Sequence, residues 1–415
     1  MEGKTYAFWQ RVVELPHIDL PQWLSVQEIF PKVFWKERNA SVTHAALGAL
    51  FSFDEVPDLP ASELDVRIYG GLRFEKGTRK DNSWDGFPDK KFWLPQFEIV
   101  QSGKSTRLLI RGGVEGESEE ERLKFVRTEG NSMEFSCLKE ENVPCFEEWN
   151  ETVSAILDAI KHTSVQKVVL ARKRILYTNR ALSGWSLLEG LLTTAIHTTF
   201  FAFEMQPNAL FLGATPEQLF YSKGPLFQTE ALAGTRPRGK DVRQDQYYQE
   251  ELLHCSKETK EFSTVQTFLT SVLSDWSERM EWEKEPRILK NAHVQHLYNP
   301  LKAQLKAGIK NSELIEKLHP TPALGGFPKM QALQCIQQHE PFDRGWYGAP
   351  IGVVFPGGAH FAVGIRSALV KEREIHLFSG SGIVRTSNPL LEWEELNQKI
   401  RPFLSLLPME KALYG

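Results

Sequence analysis

Two Glu-x-x-Glu pairs, more than a hundred residues apart, hold the densest chemistry in the chain. Glu258 and Glu261 lie in CSKETKEF, and Glu392 and Glu395 lie in NPLLEWEELNQK. A spacing of three places both members of a pair on one face of a helix. Two such faces brought together would make a site of carboxylate oxygens, a hard donor set that suits Mg2+ and not a thiolate-seeking metal. Asn388 followed by Pro389 reads as a helix cap and first helical residue, so the second pair is expected in the opening turns of a helix. Each pair taken alone is also what a solvated helix face looks like. The neighbouring motifs decide between the two.

In VQKVVLARKR, alternation sets Val165, Lys167, Val169 and Ala171 on one strand face. A lysine among apolar neighbours is poorly solvated, which disfavours its charged form and suits a base; a strand-edge lysine reaching out to water is the plain alternative. Glu217 follows a strand and a turn in FLGATPEQLF, where a shielded carboxyl could act as a general acid. Arg236 and Arg238, in ALAGTRPRGK, form a basic loop that either faces an anion or lies on the surface. Arg366 and Lys399 are the cations best suited to a substrate carboxylate, and Tyr347 could donate a phenolic hydroxyl to the same anion. His296 could orient or contact a second anionic group. The small residues of HPTPALGGFPK and SGSGIV, including Ala323, Leu324 and Gly382, permit close approach of backbone to a flat ligand.

The elements that must hold these residues differ along the chain. Residues 1–145 read as strand-rich, with strand-like stretches in FWKERNASVTHAALGALFSF and VRIYGGLRFEKG. Residues 80–93 read as a polar loop, and 115–124 as a charged loop or helix start. From 146 to 415 the pattern changes to an amphipathic helix, EEWNETVSAILDAIKH, and then the lysine strand. Strands follow at FFAFEM, ALFLGA and LFYS, then the loop ALAGTRPRGK and one long helix from about Gln244 through Leu273. APIGVVFP, FAVGIRSALV and EIHLFSGSGIV read as three further strands before a terminal helix. Strands joined by short loops favour antiparallel sheets packed with outer helices, an α/β (α+β) fold in which the first 145 residues belong to the same body as the rest.

Composition bounds the function. A net charge of −4 without a basic run gives nucleic-acid binding no electrostatic support. No run of about 18 apolar residues supports a membrane span. The start, MEGKTYAFWQRVVELPHIDLP, has no apolar stretch of signal-peptide length, and Cys137, Cys145, Cys255 and Cys335 have neither C-x-x-C nor zinc spacing. They read as free thiols in a cytoplasmic protein.

Taken in order, KVVLAR, GATPE, AGTRPRG, SKETKE, HL, HPTPALGG, GWYGAPIG, GIRSA and SGSGIVRTSNPLLEWEELNQK resemble the chorismate-utilising enzymes from about residue 150 to 405. PQWLSVQEIFPKVFWKERN and RIYGGLRF are similar to the menaquinone-type isochorismate synthases within that family. The resemblance implies the chorismate-binding enzyme fold and an Mg2+-dependent conversion of chorismate to isochorismate, in which water adds at C2 and the C4 hydroxyl leaves. It implies Lys167 as the base, Glu217 as the acid, Glu261 and Glu395 as principal Mg2+ ligands, and Glu258 and Glu392 as their supports. Arg366 and Tyr347 match residues that hold the enolpyruvyl carboxylate; His296 and Lys399 match residues near the ring carboxylate and the metal. Lys167 stands where anthranilate synthases usually carry glutamine, so water is favoured over ammonia and no glutamine amidotransferase subunit is required. Ala233 stands where aminodeoxychorismate synthases carry a nucleophilic lysine, and Ala323 where salicylate synthases tend to have threonine. Phe262, Thr259 and Ser381 depart from the usual histidine, arginine or asparagine, and alanine. Salicylate synthase, a siderophore-pathway isochorismate synthase and a non-catalytic chorismate-binding protein remain the alternatives.

Overall fold

The computed structural model describes residues 6–38, 40–77, 80–114, 120–125, 135–291 and 294–407. Their strands form two large antiparallel sheets, of twelve and ten strands. In the larger sheet, Phe8–Leu15, Ser105–Gly113, Phe97–Ser102, Val42–Leu47 and Lys32–Lys36 run in spatial order. Lys32–Lys36 then pairs with Thr199–Gln206, and the sheet continues through Ala209–Thr215, Ser367–Lys371, Glu374–Val384 and Lys167–Thr178. The smaller sheet is joined in the same way, where Pro350–Phe355 pairs with Ile68–Leu72. The N-terminal 145 residues therefore supply strands to both sheets and have neither to themselves.

The continuous apolar run FFAF explains itself once both faces of its strand are covered. Phe201 and Phe203 point into an aromatic layer with Trp35, Trp93, Phe211 and Trp346, between the two sheets. Phe200 and Ala202 point the other way, into a second layer with Leu187, Leu188 and Phe403 from the outer helices. Each such fully buried aromatic contributes about 1.5–3 kcal/mol by area. Phe203→Ala would cost about 3–5 kcal/mol through lost burial and the cavity left behind.

Several sequence expectations are corrected. The segment 80–93 is not simply a polar loop: Trp84 and Phe87 are core residues and Lys90–Leu94 is a strand. In the charged segment 115–124, Glu120–Arg122 is one 3₁₀ turn, while 115–119 lies outside the described residues. ALAGTRPRGK is mostly strand, since Leu226–Pro237 pairs along Val294–Leu305 with a bulge between Ala233 and Arg236. The long helix is two, Val242–His254 and Ser256–Ser274, broken where Cys255 adopts extended backbone. FAVGIRSALV is also two elements. Gly358–Val363 lies in the smaller sheet and Ser367–Lys371 in the larger, so the chain changes sheets at Gly364–Arg366. Arg366 has a φ of 50°, an uncommon conformation for a side chain of this size, and it sits at that crossing.

Candidate active site

The crossing opens onto a cavity of about 370 Å3. It gathers Glu217, Glu258, Glu261, His296, Ala323, Leu324, Tyr347, Arg366, Gly382, Glu392, Glu395 and Lys399. Every sequence-predicted site residue but Lys167 and Arg238 lines this wall, and Lys167 reaches it through Glu261: its Nζ lies 2.5 Å from the carboxylate. The lysine is buried on the strand Lys167–Thr178, where Val169 pairs with Gly382 of the neighbouring strand. A Cβ on Gly382 would stand 2.6 Å from the Lys167 Cε. The glycine leaves the slot through which the lysine side chain passes. The sequence placed this lysine among apolar neighbours; its partner, 94 residues away, is a carboxylate.

Each glutamate pair rides a helix whose opposite face is apolar. On Ser256–Ser274, Phe262, Val265, Leu269 and Leu273 are buried at helical spacing, turning Glu258 and Glu261 to the cavity. Phe262, at the position of the usual histidine, is therefore a core residue. On Pro389–Leu404, Leu396, Ile400 and Phe403 are buried, and Glu392, Glu395 and Lys399 face the cavity. Asn388 caps this helix as expected, accepting from the amides of Leu390 and Leu391 at 3.0 and 3.2 Å.

The chain answers each of these four carboxylates with its own donors. Lys167 holds Glu261, and Lys399 approaches Glu395 at 2.6 Å while also donating to the Gly380 carbonyl. Arg236 binds Glu258 at 2.8 Å, and the Ser381 hydroxyl donates to the buried Glu392 at 2.6 Å. Ser381, the departure from alanine, thus has a defined contact. Arg238 turns away from the cavity and pairs with Asp245. Among the described residues, no three His, Cys, Asp or Glu side chains are already drawn together as a metal cluster. The donors are hard oxygens on two facing helices, a set that fits Mg2+.

The titrating groups divide by environment. Enclosure in the protein, and then the charge of Glu230, push the Glu217 carboxyl up to about 8, against the opposing pull of Lys167 and Lys399. Glu217 keeps some accessible surface because it faces the cavity. Burial, and then the positive charge of Arg366, hold His296 down to about 3. Its Nδ1 lies 3.0 Å from the Gly234 carbonyl, which places the ring proton there and leaves Nε2 as a lone-pair acceptor. That Nε2 is buried without a hydrogen-bond partner in the protein. Tyr347 is buried and stacked on Phe378 at 5.1 Å, and burial raises its phenol, so it remains a donor. Arg366 is held by its Nη1 contact to the Lys399 carbonyl.

Sequence reasoning missed the groups that brace the site. Arg344 donates to the carbonyls of Leu324 and Val169, and its partner Glu340 accepts from the Ala171 amide at 2.7 Å. That bridge ties the Ala323–Leu324 turn to the Lys167 strand. Arg38 and Glu230 do the same for the Glu217 turn. Glu340 and Arg344 stand in the polar stretch QQHEPFDRG and Arg38 in WKERN, and nothing local names their targets.

Comparison with known proteins adds to this geometry. A family model described as "Chorismate binding enzyme" matches residues 55–408. The isochorismate synthase MenF of Bacillus subtilis is 32% identical over 371 residues, covering 87% of this chain and 79% of the relative. The isochorismate synthase MenF of Pasteurella multocida is 30% identical over 398 residues, covering 93% and 89%. The solved structure of MenF, the menaquinone-specific isochorismate synthase from Escherichia coli, superposes with a TM-score of 0.86 at 25% identity, covering 97% of this chain and 95% of that one.

Proposed function

The chain belongs to the chorismate-binding enzymes, and we infer that it is an isochorismate synthase acting in menaquinone biosynthesis. The observation that carries the mechanism is a carboxylic acid, Glu217, kept protonated into the neutral range on the cavity that also holds the Lys167–Glu261 pair. An acid and a base facing one ring is the arrangement needed to add water at one carbon and expel hydroxide from another.

Chorismate is a dianion. Arg366 and Tyr347, both on the cavity wall, hold its enolpyruvyl carboxylate in this reading, by charge and by a phenolic hydrogen bond. His296 Nε2 accepts from a substrate hydroxyl and helps fix the ring. Water attacks C2, and its proton passes to Lys167 Nζ, where Glu261 stabilises the ammonium so formed. The ring double bonds shift, and Glu217 gives its proton to the departing C4 oxygen, which leaves as water. One water enters and one leaves, so the product is an isomer.

Glu261 and Glu395, supported by Glu258 and Glu392, would hold Mg2+. Bound there, the ion supplies the positive charge that lets a dianion approach a wall of carboxylates. Ala233 offers no nucleophile, consistent with acid–base and not covalent catalysis. The four cysteines are free and no helix among the described residues is long and apolar enough to cross a membrane. A reducing, cytoplasmic setting suits these thiols, and the reaction calls for no amidotransferase subunit.

Purified protein incubated with chorismate and Mg2+, with product separation by liquid chromatography, tests the reading. Isochorismate should form, and EDTA should stop it. Stoichiometric pyruvate and salicylate would replace it with a salicylate synthase; binding without turnover would replace it with a chorismate-binding protein.

A further inference from the structure

The turn that carries Glu217 is held from outside the cavity. Arg38 follows the strand Lys32–Lys36 and is anchored by its amide to the Thr199 hydroxyl at 3.2 Å. Its Nη1 donates to the carbonyl of Pro216 at 2.9 Å and to Glu230 at 3.1 Å, and its Nη2 binds the other oxygen of Glu230. The same Glu230 carboxylate accepts from the amide of Gln218 at 2.9 Å. The residues immediately before and after Glu217 are thus gripped by two ends of one ion pair. Both side chains are enclosed, Glu230 at 2% exposure and Arg38 at 13%. A bidentate pair so shielded from water holds its geometry better than a surface one. The grip spans the two sheets, since Arg38 follows a strand of the larger and Glu230 belongs to a strand of the smaller.

We propose that the Arg38–Glu230 pair is the positioning device of the general acid: it aims Glu217 at the leaving oxygen and sets the charge that Glu217 faces. Neither residue lines the cavity, and Arg38 meets its wall only from behind, at the Pro216 carbonyl, so both act through the Glu217 turn and not on substrate. The proposal rests on the reading of Glu217 as the acid. Around Glu217 stand Glu230 from Leu226–Pro237, Lys167 from Lys167–Thr178, Lys399 from Pro389–Leu404, and Tyr347 from the turn before Pro350. Arg38 stands behind Pro216. Of these, only Glu230 is an anion, and only Arg38 neutralises it by contact. Removing the two partners must therefore shift the acid in opposite directions.

The test is kcat and KM for chorismate between pH 6 and 10 in the full-length Mg2+-loaded enzyme, for E230Q, R38M, R38K and E217Q. Glutamine at 230 keeps an oxygen for Gln218 and Arg38 but removes the charge, so the alkaline limb of the kcat profile should move down by about one pH unit. R38M leaves Glu230 without its counter-charge and releases Pro216. Its limb should move up, with kcat lowered about tenfold or more and KM within about threefold. R38K restores the charge and should return the limb to the wild-type position. Its kcat should stay reduced, since one ammonium cannot bridge both acceptors as the planar fork does. Limbs for E230Q and R38M that superimpose on wild type, or move together, would overturn the proposal. If R38M does not fold, E230Q and R38K still decide. Should E217Q retain turnover, the acid assignment itself fails; should E217Q be inactive while the other variants match wild type, only the positioning role fails.

Discussion

Glu217→Gln should make the enzyme slower and more stable, and the gain in stability should depend on pH in a defined way. In the folded chain the carboxyl titrates at about 8, against an ordinary 4.5. Below pH 4.5 both folded and unfolded chains carry the proton, and the residue adds no pH dependence. Between 4.5 and about 8 the folded chain keeps a proton that the unfolded chain has lost. Unfolding free energy therefore falls as pH rises, by at most about 1.4 kcal/mol per pH unit. Above 8 both forms are ionised and the curve flattens. An amide has no proton to lose, so the substitution removes this fall. Water in the cavity screens part of the effect, and we expect a net gain of about 2 kcal/mol at pH 8 and almost none at pH 5. At this chain length that corresponds to roughly 2 °C in Tm. Turnover should drop about a hundredfold or more, because a positioned proton donor is lost. Thermal melts from pH 5 to 9, beside chromatographic assay of isochorismate, measure both. A Tm difference that is flat across this range, or that shrinks as pH rises, would refute the environment assigned to Glu217. Near-normal turnover would refute its role.

Glu261→Gln and Glu395→Gln should each abolish activity and weaken Mg2+ binding, read by calorimetric titration; unchanged binding in both would remove them from the metal site. Lys167→Ala should lose about two or more orders of magnitude in kcat with the fold intact by circular dichroism, and a near-wild-type kcat would show that another group takes the proton from water. Ala323→Thr adds a methyl and a hydroxyl to the turn lining the cavity and should raise the ratio of pyruvate to isochorismate. An unchanged product ratio would leave the main reaction standing and show that this position does not discriminate.

Residues that act through their own neighbours were legible in the sequence. The Asn388–Pro389 cap, the glutamate spacing and the apolar stripes opposite them are local patterns, and the helices form where those patterns place them. Contacts between distant segments were not legible. Arg38 and Glu230 are 192 residues apart, and Lys167 and Glu261 are 94 apart, with no periodicity linking either pair. The break at Cys255 was hidden because the helical pattern continues on both sides of it. The change of sheet at Arg366 was hidden for a similar reason: GIRSALV keeps strand-like composition while the backbone leaves one sheet for the other.

That crossing explains why so many motifs converge. Glu217 and Arg366 both lie where the chain passes between sheets: Thr215 ends a strand of the larger sheet, and Gln218 begins one of the smaller. The two crossings are bonded to each other, the Val363 amide donating to the Glu217 carbonyl at 3.1 Å and the Ala214 amide to the Arg366 carbonyl at 3.1 Å. Backbone at such a crossing departs from its ladder, so its side chains can be aimed at a ligand instead of at a neighbouring strand. The N-terminal segment holds none of the chemical motifs, yet it shapes this place twice. Its strands extend both sheets whose separation defines the crossing, and Arg38 grips the turn that bears Glu217. The change in sequence texture near residue 146 thus marks where the charged residues of the cavity begin, while the geometry that brings them together depends on residues from both sides of it.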